Sequence, residues 1–546
     1  MFSQGSAFLN NNDSLTIFSL KKTGFIRSTS LAVFALTLAF AATAQAAPIQ
    51  IIHTNDLHSF MDHSENPKLG GYARVKTLMD GLRSRAKDSN VDTLILDAGD
   101  WSEGSPFYFA NNGAESFKIM NEMGYDASAL GNHDWLMGSK RMDEILKEVP
   151  LGFPILAANY YPSSTRDWVK GMVRPYFIFE KAGKKIAVFG LTTDEYMYSW
   201  RADSATINPM VEEAKIWLPE IRKQADFVIA LTHIGSDVDR ELAKSVDGID
   251  LIVGGHSHEQ FFAPIIENSP SGKPVSIVQT GSHGQYVGDL LIDVTEGRLS
   301  IDHYKLIEVN DLIIEDCGIL DSVHRIKNMV YDRFGGKWLD EVIGNSEVPL
   351  IPSEDVQAPL NQLMHDTIEA ETKADLIFDS PLFHGEVNHA GPITRYDLLD
   401  LYPRTFDVER KVPGWTIWKT YIPGYRLKLF LDKALKDGIP FLSRGLEFDT
   451  VVVGDKKVVK NIRIRGKSIK KTQFYSLAFS EGLGRALHGI SEAMAMLAGN
   501  PFDTKVVFWD ALAKQMQKVK TIRSTTVIPA PSTAGLPQFV LSPNLQ

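Results

Sequence analysis

The sequence predicts an α/β protein, a layered N-terminal domain of alternating strands and helices followed by a second unit of α+β type. Three observations predict it. Five short aliphatic or β-branched runs between Ile49 and His258 each end in a polar cluster rich in Asp, Asn, His and Gly, the pattern of buried strands that feed polar loops. Helix-period stretches separate those runs, at 72–86, 115–123 and 209–224. Beyond residue 310 the alternation gives way to mixed helical and strand patterns. The composition agrees: 546 residues, 44% hydrophobic and 23% charged, exclude a disordered or collagen-like chain. Lys and Arg number 57 against 67 Asp and Glu, and the net charge of −10 argues against a nucleic-acid polymer as partner. The single cysteine, Cys317, excludes an intrachain disulfide, so the fold rests on packing and on any ions it binds.

The first element is a targeting segment, residues 1–46. Lys21, Lys22 and Arg27 precede a mainly apolar run at 31–42 and the small-residue stretch Ala44-Gln45-Ala46, the layout of a secretory signal cleaved after Ala46. The run is short of the roughly 20 apolar residues that span a bilayer, and no cysteine stands nearby to take a lipid. A secreted, periplasmic protein without a stable membrane anchor is expected. The five strand-like runs follow at 49–52, 93–96, 127–130, 227–231 and 251–253. They lead into His53-Thr54-Asn55-Asp56-Leu57-His58, Asp97-Ala98-Gly99-Asp100, Gly131-Asn132-His133-Asp134, Thr232-His233 and Gly254-Gly255-His256-Ser257-His258. In an open α/β sheet such loops gather beyond the carboxyl ends of the strands.

Asp56, His58, Asp100, Asn132, His233, His256 and His258 are then seven oxygen or imidazole donors converging on one place. Seven donors suit two metal ions, and ions about 3.5–4 Å apart need a carboxylate able to bridge them, for which Asp100 is the natural choice. Mixed imidazole and oxygen ligation favours Zn, Mn, Fe or Co over Ca and over thiolate-bound structural zinc. Taken singly, Asp-x-His or His-x-His is more often a turn than a ligand pair; five clusters behind five strands reverse that reading.

The ordered set Asp-x-His, Gly-Asp, Gly-Asn-His-Asp, His and Gly-His-x-His resembles the calcineurin-like metallophosphoesterases, and the opening His-Thr-Asn-Asp-x-His resembles their secreted 5′-nucleotidase branch. The resemblance implies a metallophosphoesterase domain at 47–310 and a nucleotidase-like substrate-binding domain at 341–525. It implies that Asp56, His58, Asp100 and His258 hold one divalent ion and that Asp100, Asn132, His233 and His256 hold the other. Metal-bound hydroxide would attack phosphorus in a small phosphate ester, a nucleotide or a related compound, while His133 stabilises charge or protonates the leaving oxygen.

The remaining elements are a linker helix at 315–334 within a 311–340 connector, closed by Gly335-Gly336, a helix at 357–372, and a hairpin of 449–453 and 458–464 around Gly454-Asp455. Residues 388–394 and 398–402 resemble the nucleotidase C-terminal domain, and the stretch after 525 reads as a disordered tail. Two departures from the family pattern stand out. The branch carries an Asp three residues after the catalytic His, where this chain has Leu136. An Arg-bearing, Gly-rich loop is expected just before 391, where 379–387 contains no Arg. Arg395, Arg404 and Arg485 are candidates to grip the substrate instead, and Phe441 to stack on a base. His283, after a further strand, reads first as a turn residue, and Trp415 and Trp418 as core or interface packing. The departures leave two competitors open: a 2′,3′-cyclic nucleotide phosphodiesterase or nucleotide-sugar hydrolase, and a metal-binding relative that has lost turnover.

Overall fold

Two sheets packed face to face carry the loaded strands, and their pairing follows from strands that are apolar on both faces. Strand β1 (Ile49–Thr54) lies parallel to β2 (Asp92–Asp97), and β2 parallel to β3 (Ala127–Ala129). In the other sheet β4 (Lys184–Thr192) and β6 (Leu251–Gly254) flank β5 (Phe227–His233), again in parallel. Ile49, Ile51, Leu94 and Leu96 from the first sheet meet Ile186, Val188, Ile229, Leu231 and Val253 from the second in one buried layer. The alternate residues face helices: Ile52 and Ile95 pack under helix α1 (Tyr72–Asp88), and Phe189, Val228 and Ala230 under α2 (Met210–Ile221) and α3 (Ser236–Ser245). Burial on both faces is why these strands read as continuous apolar runs. Strand β7 (Tyr286–Asp293) returns antiparallel along the outer side of β1.

The computed structural model describes residues 48–523 except 65, 196–197, 199–201, 203–204, 295–298, 386, 388, 404–413, 438–440, 454–455 and 491–498. The expected signal segment, Arg404, the Gly454-Asp455 turn and the expected tail lie outside the described residues. No helix among the described residues is long and apolar enough to cross a membrane.

The connector is helix α4 (Cys317–Phe334). It starts two residues later than its apolar spacing predicts because the Asp316 carboxylate accepts the Ile319 amide at 2.9 Å and caps it. Val323, Ile326 and Val330 bury its inner face, and Lys327 and Arg325 reach Asp62 and Glu115. Past it, a mixed sheet runs in the order Leu442–Arg444, Leu376–Asp379, Phe474–Ser480, Thr416–Pro423 and Phe502–Val507, with helix α5 (Pro359–Thr372) packed against it. The predicted hairpin is formed by Leu446–Val453 and Lys456–Ile464.

Candidate metal centre

The ladder between β1 and β2 does not stop at the strand ends. Ala98 N donates to Thr54 O, Asp56 N to Gly99 O and His58 N to Asp100 O, so the two loops turn together as one unit. That turn forces Asp56, His58 and Asp100 into left-handed backbone conformations, with φ of 52°, 47° and 57°. On the facing loops His256, His258 and His283 share that state, at 81°, 58° and 55°. Six non-glycine residues held in a region worth roughly 1–3 kcal/mol of strain each mark a place that the surrounding structure over-determines.

The side chains converge as their positions after the strands predict. His58 Nε2 lies 3.7 Å from both Asp56 Oδ1 and Asp100 Oδ2, and 3.1 Å from His258 Nε2. His258 Nε2 is 3.2 Å from Asp56 Oδ1. On the other side, His233 Nε2 sits 3.0 Å from Asp100 Oδ2, and one ligand atom each from Asp100, His233 and His256 falls within 4.8 Å of the others. Asp100 therefore reaches both groups of histidines. Asn132 starts the short helix Asn132–Trp135 directly beyond β3 and is fully buried.

Hydrogen bonds outside this cluster fix which ring nitrogen faces inward. His233 Nδ1 donates to Ala98 O at 2.8 Å and His58 Nδ1 to Glu103 O at 2.6 Å. A carbonyl only accepts, so each ring turns its other nitrogen to the carboxylates. His256 N and Asn55 Nδ2 hold Asp56 Oδ2, which leaves Oδ1 pointing at the histidines.

The residues fit a metal on one plain test. Both amide atoms of Asn132 are buried without a hydrogen-bond partner, whereas buried polar atoms are ordinarily satisfied, and Asp56 Oδ1 and His233 Nε2 are buried against other ligand-type groups of the cluster. Burial would lower the His233 pKa, but the charges of Asp100 and Asp56 overcome it and push it up to about 10. Burial would raise both carboxyls, yet the facing histidines hold them below the usual carboxylate range.

His133 stands beside the cluster, its ring 4.8 Å from that of His58 and its amide donating to Asp100 Oδ1 at 2.7 Å. Leu136 lies in the apolar core, and the acidic partner comes from another loop: His133 Nδ1 meets Glu103 Oε2 at 2.9 Å, with both side chains buried. Asp134 does not serve, because it accepts the amides of Asp100, Ser102 and Gly131. Sequence reasoning missed Glu103, although it stands three residues after Asp100 in the same polar loop. His283 holds a turn, as its sequence context predicts, and its ring also lies 5.6 Å from those of His58 and His258. Glu195, 3.4 Å from His256 Nε2, and Tyr198, whose ring lies between those of His133 and His256, complete the rim.

Of the candidate substrate groups, the described ones make these contacts. Arg395 pairs with Glu341 at 2.7 Å and stacks on Trp338; Arg485 pairs with Glu481 at 2.6 Å and stacks on Trp418. Phe441 packs on Phe378 and Phe430. In the loop that lacks an Arg, the buried His384 bonds Asp379 at 2.8 Å. Trp415 is buried between Phe383 and Tyr402.

Comparison with known proteins matches residues 49–260 to the calcineurin-like phosphoesterase family model. The chain is 31% identical to a 5′-nucleotidase of Bos taurus over 333 residues, 55% of this chain and 56% of that one. It is 28% identical to protein UshA of Yersinia enterocolitica over 510 residues, 83% of this chain and 90% of the other. The chain thus spans a little over half the length of the bovine relative. Among solved structures, a 5′-nucleotidase precursor from Thermus thermophilus shares the fold with a TM-score of 0.73 at 21% identity, covering 87% of this chain and 97% of that one. Residues 49–260 are a calcineurin-like phosphoesterase domain, in a chain homologous to 5′-nucleotidases.

Proposed function

We propose that this protein is a metal-dependent phosphoric ester hydrolase of 5′-nucleotidase type, acting outside the cytoplasm on a small phosphate ester. The observation that carries it is the meeting of buried carboxylate and imidazole donors from Asp56, His58, Asp100, His233 and His258, beside a histidine backed by a carboxylate. Asp56, His58, Asp100 and His258 would hold one divalent ion, and Asp100, Asn132, His233 and His256 a second. Zn, Mn, Co and Fe all suit the donor set. Ions bound there supply an activated water as nucleophile and neutralise charge on the phosphoryl oxygens.

The chain's own groups do the rest. Ala98 O and Glu103 O fix the tautomers of His233 and His58. Glu103 Oε2 takes the Nδ1 proton of His133 in a hydrogen bond, so that Nε2 is the atom left to pass a proton to the leaving oxygen or to stabilise charge on the transferring group. This pair answers the chief reason for a non-catalytic reading, the absence of an acid at position 136. The second unit, 341–525, is proposed to supply substrate contacts, and the basic and apolar run before Ala46 supports export to the periplasm.

Phosphate release from nucleoside monophosphates, cyclic nucleotides, nucleotide sugars and an aryl phosphate, with the metal-reconstituted protein and an Asp100→Ala control, tests the proposal. Release from nucleotides that vanishes in the control is expected. Release from the aryl ester alone would move the substrate to another phosphate class. No release from ion-loaded protein would overturn the reading.

A further inference from the structure

We propose that His283 is an additional ligand of the first ion, and that with it the site selects ions that accept six donors, Mn, Co or Fe, over Zn. The inference rests on the dinuclear reading above and concerns a residue outside the seven donors assigned there. One ring nitrogen each from His58, His258 and His283 lies within 4.8 Å of the other two. An ion with bonds of about 2.1 Å to nitrogen spans roughly 4.2 Å, so a small rotation of one imidazole brings all three within reach. The His283 ring is held where it can do this. Its amide donates to Asp56 O at 2.7 Å, tying its loop to the loop of the first ligand pair. Its backbone takes the left-handed φ of 55°, as at Asp56, His58, Asp100, His256 and His258. Phe60 packs on the ring at 4.0 Å between centroids, tilted by 33°.

The chemistry follows from donor number. Four protein side chains and one water-derived ligand suit an ion of low coordination number, whereas a fifth side chain fills an octahedron. Zn has no electronic preference for six ligands and is most often four-coordinate, while Mn accepts six readily. A turn residue would need no imidazole; Asn or Gly serves a left-handed turn at lower cost.

The test uses ion-free full-length protein titrated with Mn, Co and Zn by calorimetry, with bound ions counted by elemental analysis and the absorption spectrum of the Co-loaded protein recorded. His283→Ala is paired with His283→Asn, because Asn tolerates the left-handed backbone and separates loss of the ring from loss of the turn. In both variants we expect one of the two sites to lose at least about tenfold in Mn affinity and the other to be unchanged. The Co bands should strengthen as coordination number falls, and the preference for Mn over Zn should shrink. Unchanged affinities and an unchanged Co spectrum in both variants would overturn the proposal, and a fall in phosphate release alone would place His283 against substrate instead. If the unaltered protein binds no divalent ion, the dinuclear reading fails first; if it binds two and hydrolyses esters while the variants match it in binding, only the His283 assignment fails.

Discussion

Glu103 touches the site twice: its carbonyl orients His58, and its carboxylate orients His133. Truncating the side chain leaves the carbonyl in place, so the two roles separate by experiment. Glu103→Ala should lower turnover about 10–100-fold, the usual cost of losing an orienting group, with ion content unchanged, and Glu103→Gln should retain more because it can still accept from Nδ1. Single-turnover kinetics beside elemental analysis checks both, and a loss of ions in parallel with activity would show that the residue acts on the metals. The convergence of Asp56, His58, Asp100, His233, His256 and His258 was legible because each stands at or just past the end of a strand, where chain direction fixes its placement. Glu103 was not, because its contact depends on how the loop after Asp100 folds back past the loop after β3. Arg395 and Arg485 show the same limit from the other side: an Arg in sequence does not say which carboxylate will take it, and here Glu341 and Glu481 do.

The strands and helices named from the sequence were legible nearly to their ends, since burial on both faces leaves long apolar runs and caps fall at polar residues, as at Asp316, whereas β4 and α3 were not named. What periodicity could not give is how closely the strand-end loops approach. A Cβ on Gly255 would lie 2.8 Å from Ala98 O, 3.0 Å from His233 Nδ1 and 3.1 Å from Asp56 Oδ2, so the Gly-His-x-His loop reaches the centre only because this position has no side chain. Gly255→Ala should therefore weaken ion binding by an order of magnitude or more, measurable by calorimetry, while far-ultraviolet circular dichroism stays native. Helix α3 contributes a pH response. Burial raises the Asp239 pKa to about 8, against a hydrogen bond from Thr232 and the charge of His233. A carboxyl whose native pKa exceeds its unfolded value near 3.8 keeps its proton only when folded. Its contribution to stability is full below about pH 4 and is lost as pH rises toward 8. Asp239→Asn should remove that slope, so the stability of the variant relative to the unaltered protein should climb between pH 4 and 8 in urea denaturation. A constant difference across that range would show that Asp239 is ionised in the fold.

At the scale of the whole molecule the sequence suggests two units joined near 311–340, and its apolar pattern cannot show how much core they share. The described residues on both sides of α4 fall into one hydrophobic cluster that runs from Ile52 to Ile522. One crossing is aromatic: Phe109 meets Phe334 at 5.7 Å and Trp509 at 5.4 Å, edge to face, and Arg333 donates to Phe109 O. Trp509 is also fixed from its own side, where its indole N–H donates to Tyr402 O at 3.1 Å. Such a contact transmits unfolding between the units, because losing either exposes apolar surface on both. Calorimetry of the unaltered protein should then show a single cooperative transition. Trp509→Ala removes about 3–5 kcal/mol of packing, and it does so at the crossing, so the expected result is two separated transitions, the lower one belonging to the unit beyond α4. Phe109→Leu, a milder change on the opposite side, should shift the single transition down without splitting it. Two transitions in the unaltered protein would mean that the shared cluster does not couple the units, and that the unit beyond α4 is free to move against the first about Gly335, whose φ of 90° ends the helix.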